Sequence, residues 1–198
     1  MFSGYLTFTK QYTLDGQVRS VLKIPNLEVK AFYRNTLLRW FEKGVDIQYY
    51  HQMLKNLVDG NSKDFKKIFK DVVYHSFSYF DVANRNPERV YHAFALGMFV
   101  SLSNTHIVKS NRESGYGRYD VMIIPKDKSL PGTIIEFKKV EKDENENLEI
   151  AAGNAIKQIN EKQYEQELVS LGIKKIIKLG IAFEGKKVFI LESGVNCE

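Results

Sequence analysis

Cysteine is nearly absent from this chain: the only one, Cys197, stands next to the last residue. A lone thiol can neither close a disulfide within the chain nor build a zinc site, so no covalent framework is expected, and a cytoplasmic setting fits. Long apolar runs are missing as well. No stretch approaches the length of a membrane span, and the opening MFSGYLTFTK has neither the charged head nor the apolar core of a secretory signal. Zinc-finger spacings and leucine-zipper heptads, the common devices for reading bases directly, are also lacking. The expectation is a protein away from membranes and without a dedicated base-reading motif.

What the chain does have is enough apolar material for one good core and a small helical annex. Its 198 residues are 43% hydrophobic and 27% charged, the balance of a soluble globular protein. A net charge of +5 tilts only mildly toward a polyanionic partner. Lysines gather at Lys63, Lys66, Lys67 and Lys70, at Lys174, Lys175 and Lys178, and at Lys186 and Lys187. Each group by itself reads as a solvated face before it reads as a track for phosphates. The acidic run 141–147 would repel a nucleic-acid backbone.

Turn chemistry and periodicity divide the chain into elements. Alternating residues over 5–12 and 18–24, around Leu14-Asp15-Gly16-Gln17, predict a β-hairpin. Apolar spacing predicts helices over 27–42, 46–59, 62–83 and 84–102, the last opened by Asn86-Pro87. A first core strand is expected over 104–110, a long helix over 148–172 ending at Gly172, and two closing strands over 173–183 and 187–192 around Gly185.

The chain is organised around 115–140, GYGRYDVMIIPKDKSLPGTIIEFKKV. The runs 119–124 and 133–140 read as neighbouring strands joined through Pro131-Gly132. Alternation puts Glu136 and Lys138 on one face and Ile135 and Phe137 on the other, while Asp120, Met122 and Ile124 share a face of the preceding strand. A pairing that sets Asp120 opposite Glu136 would bring two carboxylates and an ammonium to one spot. Such a set binds Mg²⁺ or Mn²⁺ and leaves positions for water and a phosphate oxygen, with the lysine orienting or deprotonating the water. A Glu/Lys pair on an exposed strand would look the same in sequence, but these charges lie among apolar neighbours, where unpaired charge is costly. Gly115 and Gly117 permit a tight turn or a close approach to another backbone.

Three blocks carry a family resemblance: 110–120 (SNRESGYGRYD), 134–138 (IIEFK) and 155–159 (AIKQI). They resemble the PD-(D/E)xK nuclease superfamily, in the branch often found C-terminal to an AAA-ATPase-like domain. The resemblance implies an α/β (α+β) fold, a restriction-endonuclease-like core of a mixed central sheet flanked by helices. It also implies a connector at the N-terminus, and an ATPase partner domain absent from this chain. The expected division is a hairpin and helical region over 1–83 and a nuclease-like domain over 84–198.

By the same resemblance the catalytic residues would be Asp120, Glu136, Lys138 and Gln158. The metal would be Mg²⁺ or Mn²⁺, held by Asp120, Glu136 and the Phe137 carbonyl, with Glu88 a further ligand by position. A first-turn glutamate also suits the helix dipole without any metal, and the two readings of Glu88 stand at parity. Arg118, Lys162, His92 and Tyr164 would meet nucleic acid, though His92 also suits a helix–sheet gap. On a wheel of about 100° per residue, Ala155, Gln158 and Lys162 form one stripe and Tyr164 lies about a third of a turn away, which favours packing. The expected activity is metal-dependent hydrolysis of phosphodiester bonds, in DNA rather than RNA, with a homodimer natural if both strands are cut. The alternative is a non-catalytic nucleic-acid-binding or ATPase-associated module retaining the fold.

Overall fold

The computed structural model of the protein describes residues 4, 6–14, 16–32, 35, 46–76, 87–140 and 146–196. The side chains of 87–90, Glu88 among them, lie outside that description. The chain divides into two compact units, Met1–Trp40 and Phe41–Glu198.

In the first unit, β1 (Thr7–Leu14) and β2 (Gln17–Lys23) form the expected antiparallel hairpin, closed where Leu14 faces Gln17. Gly16 takes φ +73°, a left-handed conformation that glycine adopts without a Cβ penalty. Residues 27–32 are helical, begun by the Asn26 side chain, whose Oδ1 accepts from the Val29 N–H at 2.9 Å. Most of the rest of the helix expected over 27–42 falls outside the described residues.

The second unit opens with α1 (Ile47–Asp59), capped by the Asp46 carboxylate and ended by Gly60 at φ +78°. α2 (Ser62–Ser76) follows; its expected continuation to 83 lies outside the described residues. Ser62 Oγ and Lys66 Nζ both donate to Glu192, so this part of the region 1–83 folds with the sheet. α3 (Pro87–Phe99) tightens into a 3₁₀ turn over Val100–Asn104, where the sequence predicts plain helix.

Five strands then make one sheet in the order β3-β4-β5-β6-β7: β3 (His106–Ser114), β4 (Gly117–Pro125), β5 (Gly132–Lys139), β6 (Lys175–Glu184) and β7 (Lys187–Asn196). All neighbours are antiparallel except β5 and β6. A parallel pair needs a crossover, and α4 (Leu148–Glu161) with α5 (Gln166–Ser170) supplies it. This is the mixed sheet flanked by helices that the sequence predicts.

The long helix expected over 148–172 is in fact these two pieces. α4 stops at Glu161, and Gln163 takes φ +53° in the turn between them.

Both faces of the sheet are buried. Met122, Ile124, Ile134 and Ile176 pack with Ile156 and Ile159 of α4 and Leu168 of α5. On the other face Tyr91 of α3 stacks on Phe183 with centroids 4.2 Å apart. Gly180, the β6 partner of Glu136, lets α4 come close: a Cβ there would lie 2.3 Å from the Ala152 carbonyl oxygen. Lys178, expected on a solvated face, is instead 2% exposed. It sits in the middle of β6, where alternation points it at α4, and Glu165 (3.0 Å) and Asn160 (2.8 Å) satisfy its ammonium.

Candidate active site

β4 and β5 pair from Ile123–Thr133 up to Val121–Ile135. One further step of that register sets Asp120 across from Glu136. There a side chain takes over from the main-chain ladder: the Phe137 N–H donates to Asp120 Oδ2 at 2.9 Å. The first acid is thereby fixed to the strand that carries the second acid and the lysine.

Glu136 is 3% exposed. Its Oε1 accepts from Gln158 Nε2 and lies 3.5 Å from Lys138 Nζ. Its Oε2 is buried with no hydrogen-bond partner among the described residues. Lys138 Nζ donates to Gln158 Oε1 at 2.7 Å, so the amide of Gln158 holds the glutamate with one end and the lysine with the other. Gln158 Nε2 also reaches the Tyr164 hydroxyl at 3.2 Å, and that hydroxyl donates to the Arg118 carbonyl at 2.8 Å. A continuous polar chain thus runs from the β3–β4 hairpin through α4 to β5.

Burial sets the electrostatics. The Glu136 carboxyl is pushed up to about 8, first by burial and then by the Asp120 charge, with Lys138 acting the other way. Asp120 is also raised by burial, opposed by the Phe137 N–H and by His92 and Lys138. Two neighbouring acids in a dry setting cannot both ionise cheaply, and a divalent cation relieves that cost by taking the place of the proton.

The donor set suits such a cation. Two carboxylates, one with a buried oxygen that no described residue satisfies, form an oxygen-only set of the kind that hard Mg²⁺ or Mn²⁺ prefers. Among the described residues no three His, Cys, Asp or Glu side chains gather as a metal cage. Glu88, the expected third acid, stands in the first turn of α3 with its side chain outside the description.

The remaining residues fall at different distances from this cluster. His92 lies on the α3 side, its Nε2 3.2 Å from the Asp120 carbonyl and 3.1 Å from Ser110 Oγ, with its ring edge-on to Phe137. It fills the helix–sheet gap and braces the Asp120 main chain. Arg118 is exposed and 4.0 Å from Glu113, and Lys162 is an exposed residue at the end of α4. Tyr164, expected at the nucleic acid, is 1% exposed, so its ring has no face to offer a base. The turn at Gln163 carries it off the α4 wheel and back under Gln158, and only its hydroxyl serves the cluster.

Sequence reasoning missed the hairpin's seat. Gly115, at φ +58°, lies so close to the 162–163 turn that a Cβ would come within 2.1 Å of the Lys162 carbonyl oxygen. Tyr116 N–H donates to that oxygen at 2.8 Å, and Ser114 Oγ donates to the Tyr164 carbonyl at 2.8 Å. The glycine pair flanking Tyr116 signals a close backbone approach, but not which backbone.

A mixed sheet flanked by helices, with an acid on one strand and a Glu-x-Lys on the next, is a nuclease-like class of fold. A family model of the PD-(D/E)XK nuclease superfamily matches residues 86–193, more than half of the chain, and the protein belongs to that superfamily. No curated protein matches significantly. Among solved structures, the crystal structure of SSO0001 is similar at 14% identity, over 85% of this chain and 77% of that one. Its TM-score of 0.29 is too low to carry any argument.

Proposed function

We propose that this protein is a metal-dependent nuclease that hydrolyses phosphodiester bonds, with DNA as its substrate. The observation that carries the reading is the buried Oε2 of Glu136, without a hydrogen-bond partner among the described residues and held beside Asp120 and Lys138 by the amide of Gln158. Asp120, Glu136 and the Phe137 carbonyl would hold Mg²⁺ or Mn²⁺, with Glu88 a further ligand. When bound, the cation supplies Lewis-acid polarisation of the phosphodiester and a lower pKa for a coordinated water.

The chain's own residues do the rest. Lys138 Nζ holds the attacking water. Gln158 locks the lysine and the glutamate in one geometry, so that neither has to reorganise as charge develops. Tyr164 keeps that amide in its orientation through its hydroxyl. Arg118 and Lys162, exposed beside the hairpin, bind phosphates and fix register without reading sequence.

Cleavage of plasmid and of single-stranded DNA with Mg²⁺ or Mn²⁺ tests the reading, with Asp120→Ala and Lys138→Ala as comparisons. Both variants should lose cleavage. Undiminished cleavage in both removes the site assignment, and binding without cleavage by the unaltered protein removes the activity.

A further inference from the structure

The hairpin between β3 and β4 presents a feature that the phosphodiesterase cluster does not use. Tyr116, at its tip, is 73% exposed. An aromatic ring on a loose loop would mean little, but this tip is built rigid. Gly115 is seated against the Lys162–Gln163 backbone, the Tyr116 N–H is tied to the Lys162 carbonyl, and Ser114 is tied to the carbonyl of Tyr164. The ring is therefore held in solvent by an anchored main chain, at little entropic cost to anything that lands on it.

Beside the tip lies a groove of about 930 Å³ between edge strand β3 and α5, lined among others by Lys109, Asn111, Arg112, Arg118, Gln166 and Ser170. Its lining mixes polar and apolar surface and carries three cations and two acids, Glu113 and Glu167. Two of the cations face these acids, Lys109 toward Glu167 and Arg118 toward Glu113, while Arg112 has no ion pair among the described residues. Arg118 belongs both to this groove and to the strand leading into Asp120 two residues later.

We propose that Tyr116 and this groove form a binding platform for single-stranded nucleic acid, the ring stacking on an unpaired base while Arg112 and Arg118 follow the phosphates. The inference rests on the nuclease reading and sharpens it by naming the form of the substrate. An exposed aromatic beside arginines able to follow phosphates is the arrangement that binds single strands with little sequence preference, because every base has a face to stack and a paired base in a duplex has none free.

The test measures binding apart from cleavage. The full chain carrying Asp120→Asn is titrated, by fluorescence anisotropy, against a dye-labelled mixed-sequence single strand and against the duplex of the same length. Adding Tyr116→Ala should weaken single-strand binding between about fivefold and a hundredfold and leave duplex binding unchanged. Tyr116→Trp should restore it, which a merely structural role for the tyrosine would not do. Equal loss on both forms, no loss on either, or no binding to either oligonucleotide overturns the platform. If wild-type protein fails to cleave while Tyr116→Ala selectively weakens single-strand binding, the platform stands and the nuclease reading falls. If wild-type protein cleaves and Tyr116→Ala binds as before, the platform alone falls.

Discussion

The two faces of β5 are built from alternate residues of one short strand, yet they behave as opposites. On the α3 side, Phe137 packs against Phe183 and the edge of His92, and Tyr91 stacks on Phe183. Those contacts are satisfied as they stand, and burial there is simply stabilising. On the α4 side, Ile134 lies in an apolar cluster, but two residues on Glu136 is also buried and keeps an oxygen with no hydrogen-bond partner among the described residues. Lys138 then comes to the rim, bonded to Gln158. One face stabilises the fold. The other carries a buried charge cluster, which costs stability unless it is compensated. A second buried charge on the α4 side, Lys178, sharpens the lesson, because Glu165 and Asn160 answer it directly.

Several substitutions would break or sharpen this contrast. The largest effect belongs to the polar face: Lys138→Ala should lower kcat for DNA cleavage by about 10²–10⁴-fold while the protein stays folded. Next, Phe137→Ala on the opposite face should cost about 3–5 kcal/mol in a denaturant titration, as truncation of a buried aromatic does. If Lys138→Ala proved the more destabilising of the two, the division between the faces would be wrong. Gly180→Ala tests how α4 is held over Glu136: the new methyl meets the Ala152 carbonyl, and unfolding should become easier by about 1–3 kcal/mol.

The smallest effect is one of pH. The folded-state pKa of Glu136 lies above its unfolded value, so its contribution to metal-free stability is fully present below about 4.5 and is lost as pH rises through about 8. Glu136→Gln should therefore raise the metal-free Tm at pH 8, by about 2–4 °C for each kcal/mol of relief, with little change at pH 4.5. Thermal melts of both proteins across that range check it, and an equal shift at both ends would refute the assigned cause.

Much of this was legible in the chain. Strand alternation alone separates Glu136 and Lys138 from Phe137, and the apolar neighbours of the Glu-x-Lys run indicate burial. The glycines around Tyr116 announce a close backbone approach. What stayed hidden depends on tertiary context. Tyr164 packs as the wheel favours, but the bond of its hydroxyl to Gln158 could not be read, because a wheel assumes a continuous helix and the chain leaves α4 at Glu161 and turns through a positive φ at Gln163. Lys178 reads as one of a surface run because its partners, Glu165 and Asn160, come from the crossover. The 3₁₀ turn after Phe99 and the longer β3 reflect local packing that propensity does not encode.

The central claim is the proposal that Glu136 lends its buried Oε2 to a divalent cation shared with Asp120. Isothermal titration of Mn²⁺ into wild-type protein and Glu136→Gln, repeated in buffers of different ionisation enthalpy, addresses it directly. The account predicts that wild-type protein binds the ion and releases a proton near pH 7, and that Glu136→Gln loses at least about tenfold in affinity and the proton release with it. Equal affinity in the two proteins, or binding without proton release, would contradict it.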